Sequence, residues 1–247
     1  MSQSPFDDYA GNYESALQRG LSVSGESSDY FALGRVKWLR KRLERLIGGS
    51  LDIESAMDFG CGTGNSVAFL LSELQVERVV GVDTSEQSLV QARERYSPVQ
   101  TEFVHSENYI PSGGLDLAYC NGVFHHIPVE ARAGAASYVY RCLKPGGWFA
   151  FWENNPWNPG TRLVMSRIPF DRDAITLSIL EAKQLLRQAG FEAVRVDTCF
   201  YFPNLLRWLR PLEPCLAWLP LGAQYLVLAR KPEAEHCRLS LRESAPR

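Results

Sequence analysis

Short runs rich in Val, Phe and Ala alternate with segments of helical period along most of the chain, and no other feature limits the available folds so tightly. Such alternation builds an α/β sheet through right-handed crossovers. The candidate strands are AMDFG at 56, RVVGVD at 78, TEFVHS at 101, LDLAYCNGV at 115, GGWFAFWEN at 146, FEAVRVDTCFY at 191 and QYLVLARKP at 224. Seven fit one sheet. Between them SEQSLVQARERY and VEARAGAASYVYRCL carry helical spacing, the second stopped by KPGG. Ser178 and Glu181 stand three apart as a capping box, opening a helix with Ala182, Leu185, Leu186 and Ala189 on one face and Gly190 at its end.

A single domain is expected over residues 1–232, with a helical cap over residues 1–50. Two stretches exceed a minimal alternation. Residues 154–177 hold three prolines and a glycine where an ordinary connection runs roughly 2 to 6 residues, which suggests a lid. Residues 202–222 interrupt the last hairpin with a leucine-rich, tryptophan-bearing segment, read as a second insertion over the ligand edge; its prolines at 211, 214 and 220 break any long amphipathic helix. The tail 233–247 is polar and aperiodic, so disorder is expected. Val36, Leu39, Leu43 and Leu46 repeat at helical spacing, and the basic residues among them read as the wet face of a docked helix.

Charge and cysteine usage narrow the function classes. The 26 basic and 28 acidic side chains leave a net charge of -2, without the electrostatic footprint of a nucleic-acid binder. Six scattered cysteines without a CxxC pair, and a polar start, read as a reduced, cytoplasmic protein. No stretch approaches the roughly 20 apolar residues of a membrane span.

The first strand runs straight into Gly60, Gly62 and Gly64. A phosphate loop would need a lysine after Gly64, and none follows. A dinucleotide fingerprint would need glycine at Asn65, so an NAD-dependent oxidoreductase survives as a variant reading. The third candidate ligand is S-adenosylmethionine. For it the glycines permit a sharp turn and close backbone approach, and the following helix offers N-terminal amides to the carboxylate. Asp58 supplies negative charge near the ammonium. Asp83 lies about 20 residues past the loop, where a carboxylate meets a ribose in such folds.

MDFGCGTGNS, GVDTS, LDLAYCNGVFHHIP and LKPGGWFAFWENN, in that order, resemble the successive motifs of class I S-adenosylmethionine-dependent methyltransferases. The resemblance implies a Rossmann-like, doubly wound sheet of seven strands with the last antiparallel. It implies that Asp58, Gly60, Cys61, Gly62 and Gly64 surround the methionine part of the cofactor, that Asp83 binds the ribose and that Thr84 lies beside the adenine. Asn121 of the third motif joins this set. Where many members carry an Asp-Ala pair near the adenine, this chain has Ser106 and Glu107. The N-terminal FDDYAGNYESAL is similar to members whose tyrosines cover the cofactor, which nominates Tyr9 and Tyr13.

His125 and His126 leave a strand at the ligand-facing edge and are candidate bases, His126 ahead of His125. Glu153, with Asn154 and Asn155, ends the fifth strand at the same edge and is a third catalytic candidate. No metal is expected: adjacent histidines are awkward partners for one ion, and no further ligand cluster stands out. Arg162, Arg167, Asp171 and Arg172 add mixed charge to the lid. The expected function is methyl transfer to a small-molecule or lipid-linked acceptor at oxygen or nitrogen. A peripheral membrane contact through residues 202–222 is compatible with this reading. The motifs also admit a non-catalytic binding module, or an aminopropyl transferase, which a lack of extra acidic residues disfavours.

Overall fold

The computed structural model describes residues 13–233, with side chains from residue 16 onward. Seven strands form one sheet: β1 (Ser55–Phe59), β2 (Arg78–Asp83), β3 (Thr101–His105), β4 (Leu115–Asn121), β5 (Leu143–Asn154), β6 (Glu192–Cys199) and β7 (Gln224–Arg230). Their spatial order is β3-β2-β1-β4-β5-β7-β6, with β7 antiparallel to both neighbours and the other pairings parallel. The expected architecture is therefore present.

Parallel strands covered on both faces must be apolar throughout, and these are. Ala56, Val79, Leu117 and Tyr119 face α2 (Ser28–Ile47), α3 (Val67–Leu74) and α4 (Glu86–Arg95). Met57, Val80, Ala118, Cys120 and Phe149 face α5 (Arg132–Cys142) and α7 (Ile179–Gln188). The capping box is formed: Ser178 Oγ accepts from Glu181 N, and Ser178 N donates to the Glu181 carboxylate at 2.7 Å. Ala182, Leu185 and Leu186 are buried as expected, while Ala189 lies just past the helix as its cap.

Three details differ from the sequence reading. β5 begins at Leu143 rather than 146, because the Lys144–Gly147 stretch forms an irregularity between the pairings Leu115↔Leu143 and Leu117↔Trp148. In α2, Leu46 is exposed, and Arg35 and Arg42 are buried instead of wet. Each of those guanidiniums has a partner that sequence periodicity does not show. Arg42 pairs with Asp197 of β6 at 2.5 Å, and Arg35 donates to Tyr119 Oη and Gln224 Oε1, both at 3.0 Å. Buried cations need such partners, and these tie α2 to the sheet.

The first insertion folds into α6 (Pro159–Arg167) and a single turn at Pro169–Asp171. α1 (Tyr13–Leu21) lies against α6 so closely that a Cβ on Gly20 would sit 2.4 Å from the Ile168 side chain. No helix among the described residues is long and apolar enough to cross a membrane. Residues 234–247, and Tyr9, fall outside the described region.

Candidate active site

The carboxyl ends of β1, β2, β4 and β5 meet at one edge, where the strand order reverses and α/β sheets bind their ligands. After β1 the chain bends at once. Gly60 N and Cys61 N both donate to Val82 O, at 2.7 and 3.2 Å, and Gly62 N donates to Asp83 Oδ2 at 2.7 Å. The glycines do different jobs. A Cβ on Gly60 would lie 2.3 Å from Val123, whereas at Gly62 nothing stands within 4 Å, so the bare backbone leaves space on the ligand side. Gly64 is a packing glycine: it lies under Tyr96, whose hydroxyl donates to Gly64 O at 2.8 Å.

Asp83 is oriented as a sugar-binding carboxylate needs to be. Oδ2 takes Gly62 N and Oδ1 takes Ser85 N at 2.9 Å, and the Thr84 amide also bonds the carboxylate, which leaves about one of its roughly four acceptor positions for a sugar hydroxyl. Burial raises its pKa above the ordinary value, and the amide hydrogen bonds oppose that rise. Asp58, beneath the loop, is pushed up to about 7 by burial first and by Asp83 second, with Arg35 pulling the other way. A ligand ammonium beside it would favour its ionised form. Asn121 Oδ1 is buried with no hydrogen-bond partner, an acceptor for which the described residues supply no donor. A cationic amino-acid head group fits these acceptors, and the open backbone at Gly62 fits its approach. Cys61 remains a neutral thiol, because burial and the carboxylates of Asp83 and Asp58 raise its pKa well above the ordinary value.

Asp58, Gly60, Cys61, Gly62, Asn121, His125 and His126 line a single cavity of about 350 Å³. Asp83, Thr84, Ser106 and Glu107 lie outside its lining, along the adjoining strand ends. Asp83 still touches the loop, whereas Glu107 is exposed and Thr84 O accepts from His105 Nε2 at 3.0 Å. Tyr13 begins α1, but its side chain falls outside the described region. The cavity is also lined by Leu17, Leu21, Val23, Tyr30 and Phe31, and by Val164, Met165, Ile168 and Phe170 of the first insertion.

The histidines belong to a charged cluster. His125 Nδ1 lies 2.6 Å from Glu153 Oε2, and Glu153 Oε1 accepts from Phe124 N at 2.8 Å. Glu153 is fully buried and absent from the cavity wall, so it positions His125 and does not meet an acceptor. Asp171, from the turn after α6, brings Oδ1 to 3.6 Å from His125 Nε2 and 3.2 Å from His126 Nε2. Burial alone would lower the pKa of His125, but Glu153 and then Asp171 outweigh it and carry it to about 10. Asp171 is held below its ordinary value: burial opposes this, and the two imidazoles prevail. The donor atoms of His125, His126 and Asp171 lie within 4.8 Å of one another, so the expectation that no third ligand group accompanies the histidines does not hold in three dimensions. With His125 protonated between Glu153 and Asp171, one of the two carboxylate charges is offset within the cluster. Arg162, Arg167 and Arg172 are exposed and do not line the cavity.

A family model described as a methyltransferase domain matches residues 57–149. Over that stretch, and in fold, the chain is similar to class I S-adenosylmethionine-dependent methyltransferases. It is 27% identical over 192 residues to a trans-aconitate 2-methyltransferase of Escherichia coli (strain 55989 / EAEC), covering 72% of this chain and 75% of that one. A trans-aconitate 2-methyltransferase of Azoarcus sp. (strain BH72) is 30% identical over 118 residues, and the match spans 48% of this chain but only 46% of the relative. Among solved structures, a Thermotoga maritima protein described as a possible histamine N-methyltransferase superposes with a TM-score of 0.61 at 21% identity, covering 92% of this chain and 97% of that one. A methyltransferase from Archaeoglobus fulgidus gives 0.56 at 19% identity, over 79% and 94%. That similarity points to S-adenosylmethionine as the cofactor, which the acceptors at Asp58, Asn121 and Asp83 fit.

Proposed function

We propose that this methyltransferase alkylates an oxygen or nitrogen of a small, largely apolar or lipid-linked acceptor. The observation that carries the reading is that one cavity brings two chemistries together: Asp58, Asn121 and the bare Gly62 backbone line it along with Leu21, Phe31, Ile168, Phe170 and Phe200, and with His126 and Asp171. When bound, the cofactor supplies a methyl carbon already activated by a sulfonium. The protein then has to align the acceptor and exclude water, which can be worth roughly 7 to 11 kcal/mol of the barrier.

The charges argue against a polyanion such as the trans-aconitate named for the relatives. Arg35 is engaged by Tyr119 and Gln224, and Arg210 by Glu26 at 2.7 Å, while Glu26, Asp58 and Asp171 line the same space. A tricarboxylate would find no uncommitted guanidinium among the described residues there. His126 takes the acceptor's proton at Nδ1, with Asp171 holding Nε2 and stabilising the imidazolium that forms. Glu153 and His125 fix the position of that pair.

Incubation with tritium-labelled methyl donor and fractionated cell extract tests the acceptor class. Label in the lipid or small-molecule fraction is expected; label confined to protein or nucleic acid would refute it. With the labelled fraction as substrate, His126→Ala is expected to lower turnover about 100-fold while cofactor affinity stays within about twofold. An equal loss of both would make His126 a structural residue.

A further inference from the structure

The segment 202–222 has apolar side chains that methyl transfer leaves unused. Residues 204–212 form a helical turn structure kinked at Leu206, followed by α8 (Glu213–Leu216) and a turn into β7. Leu205 is 87% exposed, Trp208 72% and Trp218 74%, and Leu212 and Leu221 are also exposed. Exposed residues of this size in one segment are unusual for a free surface. Trp157 extends the same ridge. Asn155 Nδ2 donates to Pro220 O and Gly222 O, and Asn158 Nδ2 to Leu221 O at 2.7 Å, so the loop carrying Trp157 is fastened to the turn carrying Leu221.

The opposite side of the segment is pinned to the protein. Arg210 pairs with Glu26 and lies 4.6 Å over the Tyr30 ring, and Glu213 accepts the backbone amides of Tyr201 and Phe202, each at 3.1 Å. The outward apolar side chains are therefore held out by a built scaffold. They also continue the cavity, since Tyr201, Phe202 and Pro203 line it immediately before Leu205.

We propose that this ridge, formed by Leu205, Trp208, Leu212, Trp218, Leu221 and Trp157, seats the enzyme on an anionic lipid bilayer with the rim of its cavity at the membrane. Two observations favour a bilayer over a protein partner. Exposed tryptophan and leucine on one short segment are the composition of an interfacial element, whose binding scales with inserted apolar area. The exposed charge within 203–222 is Arg207, while the acid of that stretch, Glu213, is buried, so the ridge presents positive charge to anionic headgroups. The proposal extends the lipid-linked reading of the acceptor; its test does not depend on turnover.

The full chain is sedimented with vesicles of equimolar phosphatidylcholine and phosphatidylglycerol, and separately with phosphatidylcholine alone. Wild type is expected in the pellet with the anionic vesicles, with a blue shift of tryptophan emission. A Leu205→Ser, Trp208→Ser, Trp218→Ser variant should bind at least about tenfold less while keeping its S-adenosylhomocysteine affinity, which shows that it is folded. Arg207→Glu should weaken binding to the anionic vesicles and leave the neutral ones unchanged. Wild type remaining in the supernatant, equal binding by the triple variant, or concentration-dependent self-association that hides the tryptophans would overturn the proposal. Failure of S-adenosylhomocysteine binding in wild type would instead strike the cofactor reading, so the two failures are separable.

Discussion

Asp83→Ala is expected to weaken S-adenosylmethionine and S-adenosylhomocysteine binding by at least about tenfold. The carboxylate accepts from the Gly62, Ser85 and Thr84 amides, so about one of its roughly four acceptor positions is left for a ribose hydroxyl. Hydrogen bonds to a charged group contribute roughly 1.5 to 3 kcal/mol each, and about 1.4 kcal/mol is a factor of ten. The same substitution leaves Gly62 N without its acceptor and so loosens the loop. Asp83→Asn keeps one acceptor oxygen and should fall between the two. Equilibrium dialysis with labelled cofactor checks this; an Asp83→Ala affinity within a few-fold of wild type would make Asp83 merely a tether for the loop.

The second large effect concerns stability. Glu153→Ala should destabilise the fold by roughly 3 to 5 kcal/mol, because it leaves the buried His125 imidazolium without its nearest counter-charge. The sign of the pH dependence follows from the pKa of His125, raised to about 10 from 6.5. Its contribution is fully present below 6.5 and is lost as pH rises through about 10. The gap in unfolding free energy between wild type and variant should therefore shrink as pH climbs from about 7 to about 10. Urea melts across that window measure it, and a gap constant with pH would assign the cost to the lost volume alone. Glu153→Gln, which can still accept from Phe124 N, separates shape from charge.

Much of this architecture is legible in the sequence because it follows from local rules. The strands are apolar on both faces, the capping box at Ser178 is a matter of spacing, and the glycine bend at 60–62 is required by backbone geometry. The site is legible where it lies on one motif, as with Asp58, Asn121 and His126. It is not legible where tertiary contacts assemble it. Asp171 reaches His125 and His126 from 45 residues away in an irregular insertion, and neither periodicity nor spacing marks it. Arg35 and Arg42 read as solvated because their partners, Tyr119, Gln224 and Asp197, lie on distant strands. Glu153 reads as an acceptor-facing acid at a strand end, but its side chain points into the cluster behind His125. Gly64 fits the ligand motif and yet serves the packing of Tyr96.

The most direct test is a calorimetric titration of the full chain with S-adenosylhomocysteine. One site per chain with a dissociation constant near micromolar is expected. Affinity should rise between about pH 5 and pH 7, because Asp58, pushed up to about 7, must lose its proton to pair with the ligand's ammonium. In the free protein the same raised pKa works in the opposite direction, costing stability as pH rises from 3.8 toward 7. Saturable heat that strengthens over that window would bear out the pocket as described. The absence of heat at any pH would contradict it.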